Sequence, residues 1–158
     1  MTDRTDAGFA VRAGVIDALT GIAALKAITG NEDRVWEYVD AGAKLNYLQV
    51  LNDDDQDWST SGESDGVQGE LEFEPNTEEL VGNQHTFTVH NWTDAKGAHV
   101  SEQINRIVRD SLHNASLDIT SKGHRLVTLR FLSGGVLREP TDNSYHGFAR
   151  FRATTEEI

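Results

Sequence analysis

The chain has 158 residues, 37% of them hydrophobic, no cysteine, and a formal net charge of −12. That length favours one domain over 1–158, and no apolar run approaches the roughly 20 residues that span a bilayer. The absence of cysteine removes disulfides, thiolate nucleophiles and cysteine metal sites. That absence fits synthesis in a reducing cytoplasm, and the polar, acid-bearing start Met1 to Asp6 is unlike a signal peptide.

The first predicted element is a helix from Phe9 to Ile28. Val11, Val15, Leu19 and Ile22 recur at steps of three and four, so they share one face, either core or a subunit contact. Asp6 or Thr5 is placed to cap its start, and Gly30-Asn31 to stop it. The opposite face is mostly Ala, Gly and Thr, which suits cover by the rest of the fold or by a neighbouring subunit. Arg34 to Val39 then alternates as a half-buried strand, Asp40 to Ala43 makes a loop, and Leu45 to Leu51 is a second strand.

The stretch from Asn52 to Asn83 is an acidic insertion, a loop or a hairpin arm, in which Val67 to Phe73 has the spacing of one arm. Between Asn52 and Leu80 lie 11 of the 26 acids, Asp53, Asp54, Asp55, Asp57, Glu70, Glu72 and Glu74 among them, and no Lys or Arg. That leaves 15 acids against 14 bases elsewhere, so the acidity belongs to a segment and not to the whole surface. Tight sequence-independent binding to nucleic acid is disfavoured, because neutralising phosphates needs clustered Lys and Arg. Trp58 stands in this segment with no local core to receive it. It is either an anchor for a partner or folded back onto its own sheet.

His85 to Trp92 (HTFTVHNW) is the clearest strand, rich in β-branched and aromatic residues. Thr93 to Gly97 reads as a turn, and Ala98 to His113 as a second helix with Val100, Ile104, Ile107, Val108 and Leu112 on one face. Leu117 to Thr120 and Arg125 to Leu132 are expected strands, and Ser133-Gly134-Gly135 a hairpin turn or bulge. Arg138 to Asn143 is a turn before a last strand, Tyr145 to Thr154. This order implies an α+β fold: a mostly antiparallel sheet with two helices on one face.

No enzyme signature emerges. His85 and His90 sit at odd spacing on one strand and point to opposite faces, so they cannot hold one ion together. His113 and His124 flank a loop with nothing to position them. Asp53 to Asp57 resembles the front of a calcium loop but lacks the Gly at its sixth position, and its twelfth is Ser64 in place of Glu. No G-x-S-x-G elbow is present. No cofactor or metal is expected, and one reading of these residues is a small α+β binding module whose acidic loop grips calcium weakly or a partner.

Three stretches in order carry a resemblance: Arg34 to Val39 (RVWEYV) with Ala41 to Tyr47 (AGAKLNY), His85 to Trp92 with Gly97 and its following helix, and His146 to Ala153 (HGFARFRA). Together they resemble the small tail-completion, or tail-terminator, proteins of long-tailed phages and gene transfer agents. That family usually has Pro where Asn46 stands, and a shorter loop than Asn52 to Asn83.

The resemblance implies a virion protein, made in the host cytoplasm, that forms a ring, typically a hexamer, on the head-proximal end of the tail tube. Its partners would be copies of itself, the tail tube protein and a neck stopper or adaptor, with DNA passing through unbound and no membrane involved. The acidic segment would line the channel or touch a neighbour, and Phe148, Arg150 and Arg152 of the closing strand are further candidate contacts.

Overall fold

The computed structural model describes residues 6–40, 42–59, 81–94, 97–141 and 143–158, with the side chains of 54–59 and 81 excepted. Its elements are α1 (Ala7–Leu19), α2 (Ala23–Ile28), β1 (Val35–Trp36), β2 (Tyr47–Ser59), β3 (Val81–Thr93), α3 (His99–Leu112), a 3-10 turn (Thr120–Lys122), β4 (His124–Glu139) and β5 (Ser144–Glu157). They form a five-stranded sheet in the order β1-β2-β3-β5-β4. β1 runs parallel to β2, and every other pair is antiparallel. The fold is α+β, as the element order implies.

Alternation along the central strands sorts the sheet into two faces. Phe87 and Val89 of β3, Leu48 and Val50 of β2, Leu129 of β4, and Ala149, Phe151 and Ala153 of β5 are buried on the helix-covered face. Against them pack Val11, Val15 and Leu19 of α1 and Ile104, Val108 and Leu112 of α3. The Phe87 and Phe151 rings stack at 5.4 Å across the β3–β5 ladder, with Phe131 edge-on to Phe151 at 5.6 Å. Phe87 and Phe151, both fully buried, each contribute about 1.5–3 kcal/mol relative to leaving the ring in water.

Several boundaries differ from expectation. The single helix over Phe9 to Ile28 is broken into α1 and α2, because Thr20 turns extended and Gly21 adopts φ +85°, a left-handed conformation that interrupts the helix. Asp33 Oδ1 accepts the freed Gly21 N–H at 3.0 Å. Asp6 caps α1 by accepting from Gly8 N. The strand expected over Arg34 to Val39 shrinks to Val35–Trp36.

Conversely, β2 and β3 run well into the acidic stretch, their ladder continuing to Ser59 opposite Val81. A register shift between Asn52 and Asp54 lets β2 carry on past the residue where its apolar pattern stops. Val67 to Phe73 lies outside the described residues. Leu117 to Thr120 is not a strand: Ile119 plugs the core beneath the 3-10 turn, and Gly14 lies against it.

β4 continues through Ser133-Gly134-Gly135, which is no hairpin turn but part of one strand with register shifts at Leu126/Thr128 and Phe131/Ser133. The bulges turn Val127 and Leu132 outward, and Leu129 between them is fully buried. The reversal falls farther on, between Glu139 and Ser144, where Asn143 takes φ +52°.

Candidate interaction surface on the open sheet face

Among the described residues no helix covers the second sheet face, and the side chains there divide into two halves. At one end an aromatic ladder crosses four strands. Trp36 of β1 lies 5.7 Å from Tyr47 of β2, which stacks on Trp92 of β3 at 5.3 Å, which stacks on His146 of β5 at 4.5 Å. His90, two residues before Trp92 and so on the same face, stacks on both Trp92 and His146. The register opposing Tyr47 to Trp92 and Trp92 to His146 builds the ladder. Tyr38, 77% exposed, lies past Trp36 beside a shallow depression lined by Trp36, Asp40, Gly42 and Ala43.

His90 Nδ1 and His146 Nε2 are 2.8 Å apart and share a proton, one ring donating and the other accepting. Burial holds the His90 imidazole below its ordinary value of 6.5, the His146 neighbour lowers it further, and Asp53 partly opposes them. Burial also lowers His146, against the pull of Glu139, whose carboxylate lies 3.9 Å away.

Three arginines occupy the other half. Arg130 of β4 stands directly opposite Arg152 of β5, and Arg150 lies two residues before Arg152 on the same face. Arg150 Nε is 3.4 Å from Asp53 Oδ2, which also accepts a hydrogen bond from Thr88 Oγ1. Among the described residues Arg130 and Arg152 have no such counter-ion.

The sheet's two edges differ. β1 covers β2 only at Leu48 and Gln49, so the outer side of β2 beyond that is open among the described residues. The outer side of β4 is partly occupied: Asn114 N donates to Leu129 O, His113 Nδ1 accepts from Phe131 N, and Asn105 Nδ2 donates to Gly135 O. Between α3 and β4 runs an open groove of about 430 Å³ floored by Phe131 and lined by Glu102, Arg106 and Arg109.

The sequence-derived candidates are distributed as follows. Val11, Val15 and Leu19 are spent on this chain's own core, and Ile22 is half-buried against it. Phe148 is half-buried on the open face, with Arg150 and Arg152 exposed beside it. Asp53 is tied to Arg150 and Thr88, so the first acid of the calcium-like run is already engaged within the protein. Asp54, Asp55, Asp57 and Trp58 lie on β2, Trp58 opposite Gly82, with their side chains outside the described residues, as are Glu70, Glu72 and Glu74 altogether. Among the described residues no three His, Asp or Glu side chains converge on a point where a metal ion would sit. His113 and His124 do not meet: His113 serves Phe131 N, while His124 is buried at the start of β4 opposite Glu157.

Sequence reasoning missed the aromatic–histidine ladder. Alternation alone places His90 and Trp92 on one face, but their contacts with Tyr47 and His146 depend on strand register.

The sequence and fold fit a known lineage. The family model for tail completion protein gp17 matches residues 13–156, from within α1 into the end of β5. The chain belongs to the tail completion protein gp17 family. Of the 18 solved chains that match, one from the virion of a native gene transfer agent particle is 25% identical, with a TM-score of 0.70. The alignment covers 96% of this chain and 99% of that one. No curated protein matches the chain by sequence. Tail-completion membership makes the protein a structural component of the virion tail. The matched range includes the acidic stretch.

Proposed function

We propose that this tail-completion protein is a tail terminator: a hexameric ring that caps the head-proximal end of the tail tube, stops its growth and joins it to the neck. The observation that carries this reading is the near-complete correspondence, 96% against 99% of the two chains, with a protein built into a gene transfer agent virion. Its role is structural and not catalytic.

The shape of the subunit supports ring formation. The open stretch of β2 and the outer flank of β4 lie at opposite ends of the sheet order. A contact between unlike edges is heterologous, and such contacts close into a ring when the rotation between copies allows. The partners are then other copies of the chain, the tube protein below and a stopper or adaptor above.

The test is a reconstruction of the head–tail junction in particles, together with particles lacking this chain. A terminator appears as one ring at the junction, and its loss leaves tails detached and irregular in length. Many stacked rings along the tail would make the protein a tube subunit, and its absence from the junction would overturn the assignment.

A further inference from the structure

The arginine half of the open face poses an electrostatic problem that the described residues do not solve. Like charges placed directly opposite one another on adjacent strands destabilise a sheet. Arg130 and Arg152 are such a pair, Arg150 adds a third guanidinium, and Asp53 alone answers them, through Arg150. Thr86, Thr128 and Thr154 surround Arg130 and Arg152 on the same face, and Phe148 lies two residues before Arg150. A set of exposed guanidiniums on a sheet face that no described element covers is a surface suited to an anionic partner.

The same chain carries a matching anion. From Asn52 to Leu80 it has 11 acids and no base, and Glu70-Leu71-Glu72-Phe73-Glu74 places carboxylates at alternate positions. The ladder of β2 and β3 runs away from the arginines to Ser59 and Val81 at the far end of the sheet. In a ring, a neighbouring copy offers the same acidic segment to these arginines.

Duplex DNA is the weaker candidate. Three arginines are few, and the chain's net charge of −12 repels phosphate.

We infer that Arg130, Arg152 and Arg150 form a docking surface for the acidic segment of a second copy of this chain, so that subunits are joined by charge pairing across the open sheet face. The inference rests on the ring reading above, since it requires a neighbouring copy. It makes the acidic segment an assembly element in place of a channel lining.

The test is charge exchange in the full chain, read by sedimentation and by imaging of rings. The R130E/R152E variant should lose about tenfold or more in self-association, and the wild-type association should weaken with added salt. The E70K/E72K/E74K variant should be impaired as well, and the chain carrying both sets of changes should regain assembly. Because the protein has no cysteine, T128C chains mixed with E72C chains should give mixed disulfide dimers on mild oxidation. Thermal unfolding of R130E/R152E separates misfolding from lost contact.

Rings that form normally with R130E/R152E would overturn the inference and leave the terminator reading intact, as would an impairment the exchanged charges do not restore. A T128C/E72C chain that closes only within itself would replace the neighbour with the same subunit. Normal rings that lose retention of duplex DNA would assign the arginines to DNA. If the wild-type chain forms no ring in solution or in particles, both readings fall.

Discussion

The imidazole of His146 lies parallel to the indole of Trp92, with ring centroids 4.5 Å apart and planes within 3°. β5 and β3 are neighbours in the sheet and oppose these two residues directly, so a single register decision creates the contact. It also brings His146 to His90, and the two imidazoles share a proton only while at least one of them is neutral.

A pH dependence follows from that pair. Both histidines have folded-state values below 6.5, so between those values and 6.5 the unfolded chain binds more protons than the folded one. Stability is therefore full above about 6.5 and falls as the pH drops below it. The melting temperature should be lower at pH 5.5 than at pH 7.5, and the H90Q/H146Q variant should show a smaller difference between the two. An unchanged pH dependence in that variant would remove the pair as its source.

Gly147 is the tightest glycine of the core. A Cβ there would lie 2.5 Å from both Asn91 Nδ2 and Ser101 Oγ. Those atoms belong to a buried network in which Ser101 Oγ donates to Asn91 Oδ1, Asn91 Nδ2 donates to Asn105 Oδ1 at 2.9 Å, and Asn105 Nδ2 donates to Gly135 O at 3.0 Å. The network ties α3 to β3 and β4, so G147A should cost about 1–3 kcal/mol. Denaturant titration measures it, and a loss under half a kcal/mol would show that the network shifts freely.

Removing Ser101 Oγ tests the same network from the helix side. S101A leaves the buried Asn91 carbonyl without this donor and should cost about 1–3 kcal/mol. The S101A/G147A double variant should lose less than the sum of the singles, because both act on one set of atoms.

Phe151 is fully buried between Phe87 and Phe131 at the centre of the sheet. F151A should destabilise by about 3–5 kcal/mol through lost burial and a residual cavity. By contrast, D53N removes a partly exposed ion pair with Arg150 and should cost no more than about 1 kcal/mol. Unfolding curves of the two variants provide the comparison, and equal losses would contradict this account of the core.

Much of the fold was legible in local pattern. The period of Val100, Ile104 and Val108 marks α3, and the unbroken β-former run His85 to Trp92 marks the centre of β3. The break after Leu19 was not, because the apolar steps of α1 lead smoothly to Ile22 while the left-handed Gly21 interrupts the helix without interrupting the pattern. Ser133-Gly134-Gly135 reads as a turn because glycines mark turns. In β4 these residues instead let β5 approach closely: a Cβ on Gly134 would meet Phe148 O at 2.9 Å.

By itself, the sequence determined that this is a cysteine-free α+β chain, that its acidity is confined to one segment, and which motifs resemble tail-completion proteins. Those are properties of composition, period and order, and each can be read from neighbouring residues. Tertiary structure alone decided that Trp36, Tyr47, Trp92 and His146 form one ladder, and that Arg130 faces Arg152 across a strand pair. Both depend on register between strands far apart in the chain, and a slip of one residue would send the same side chains to the opposite face.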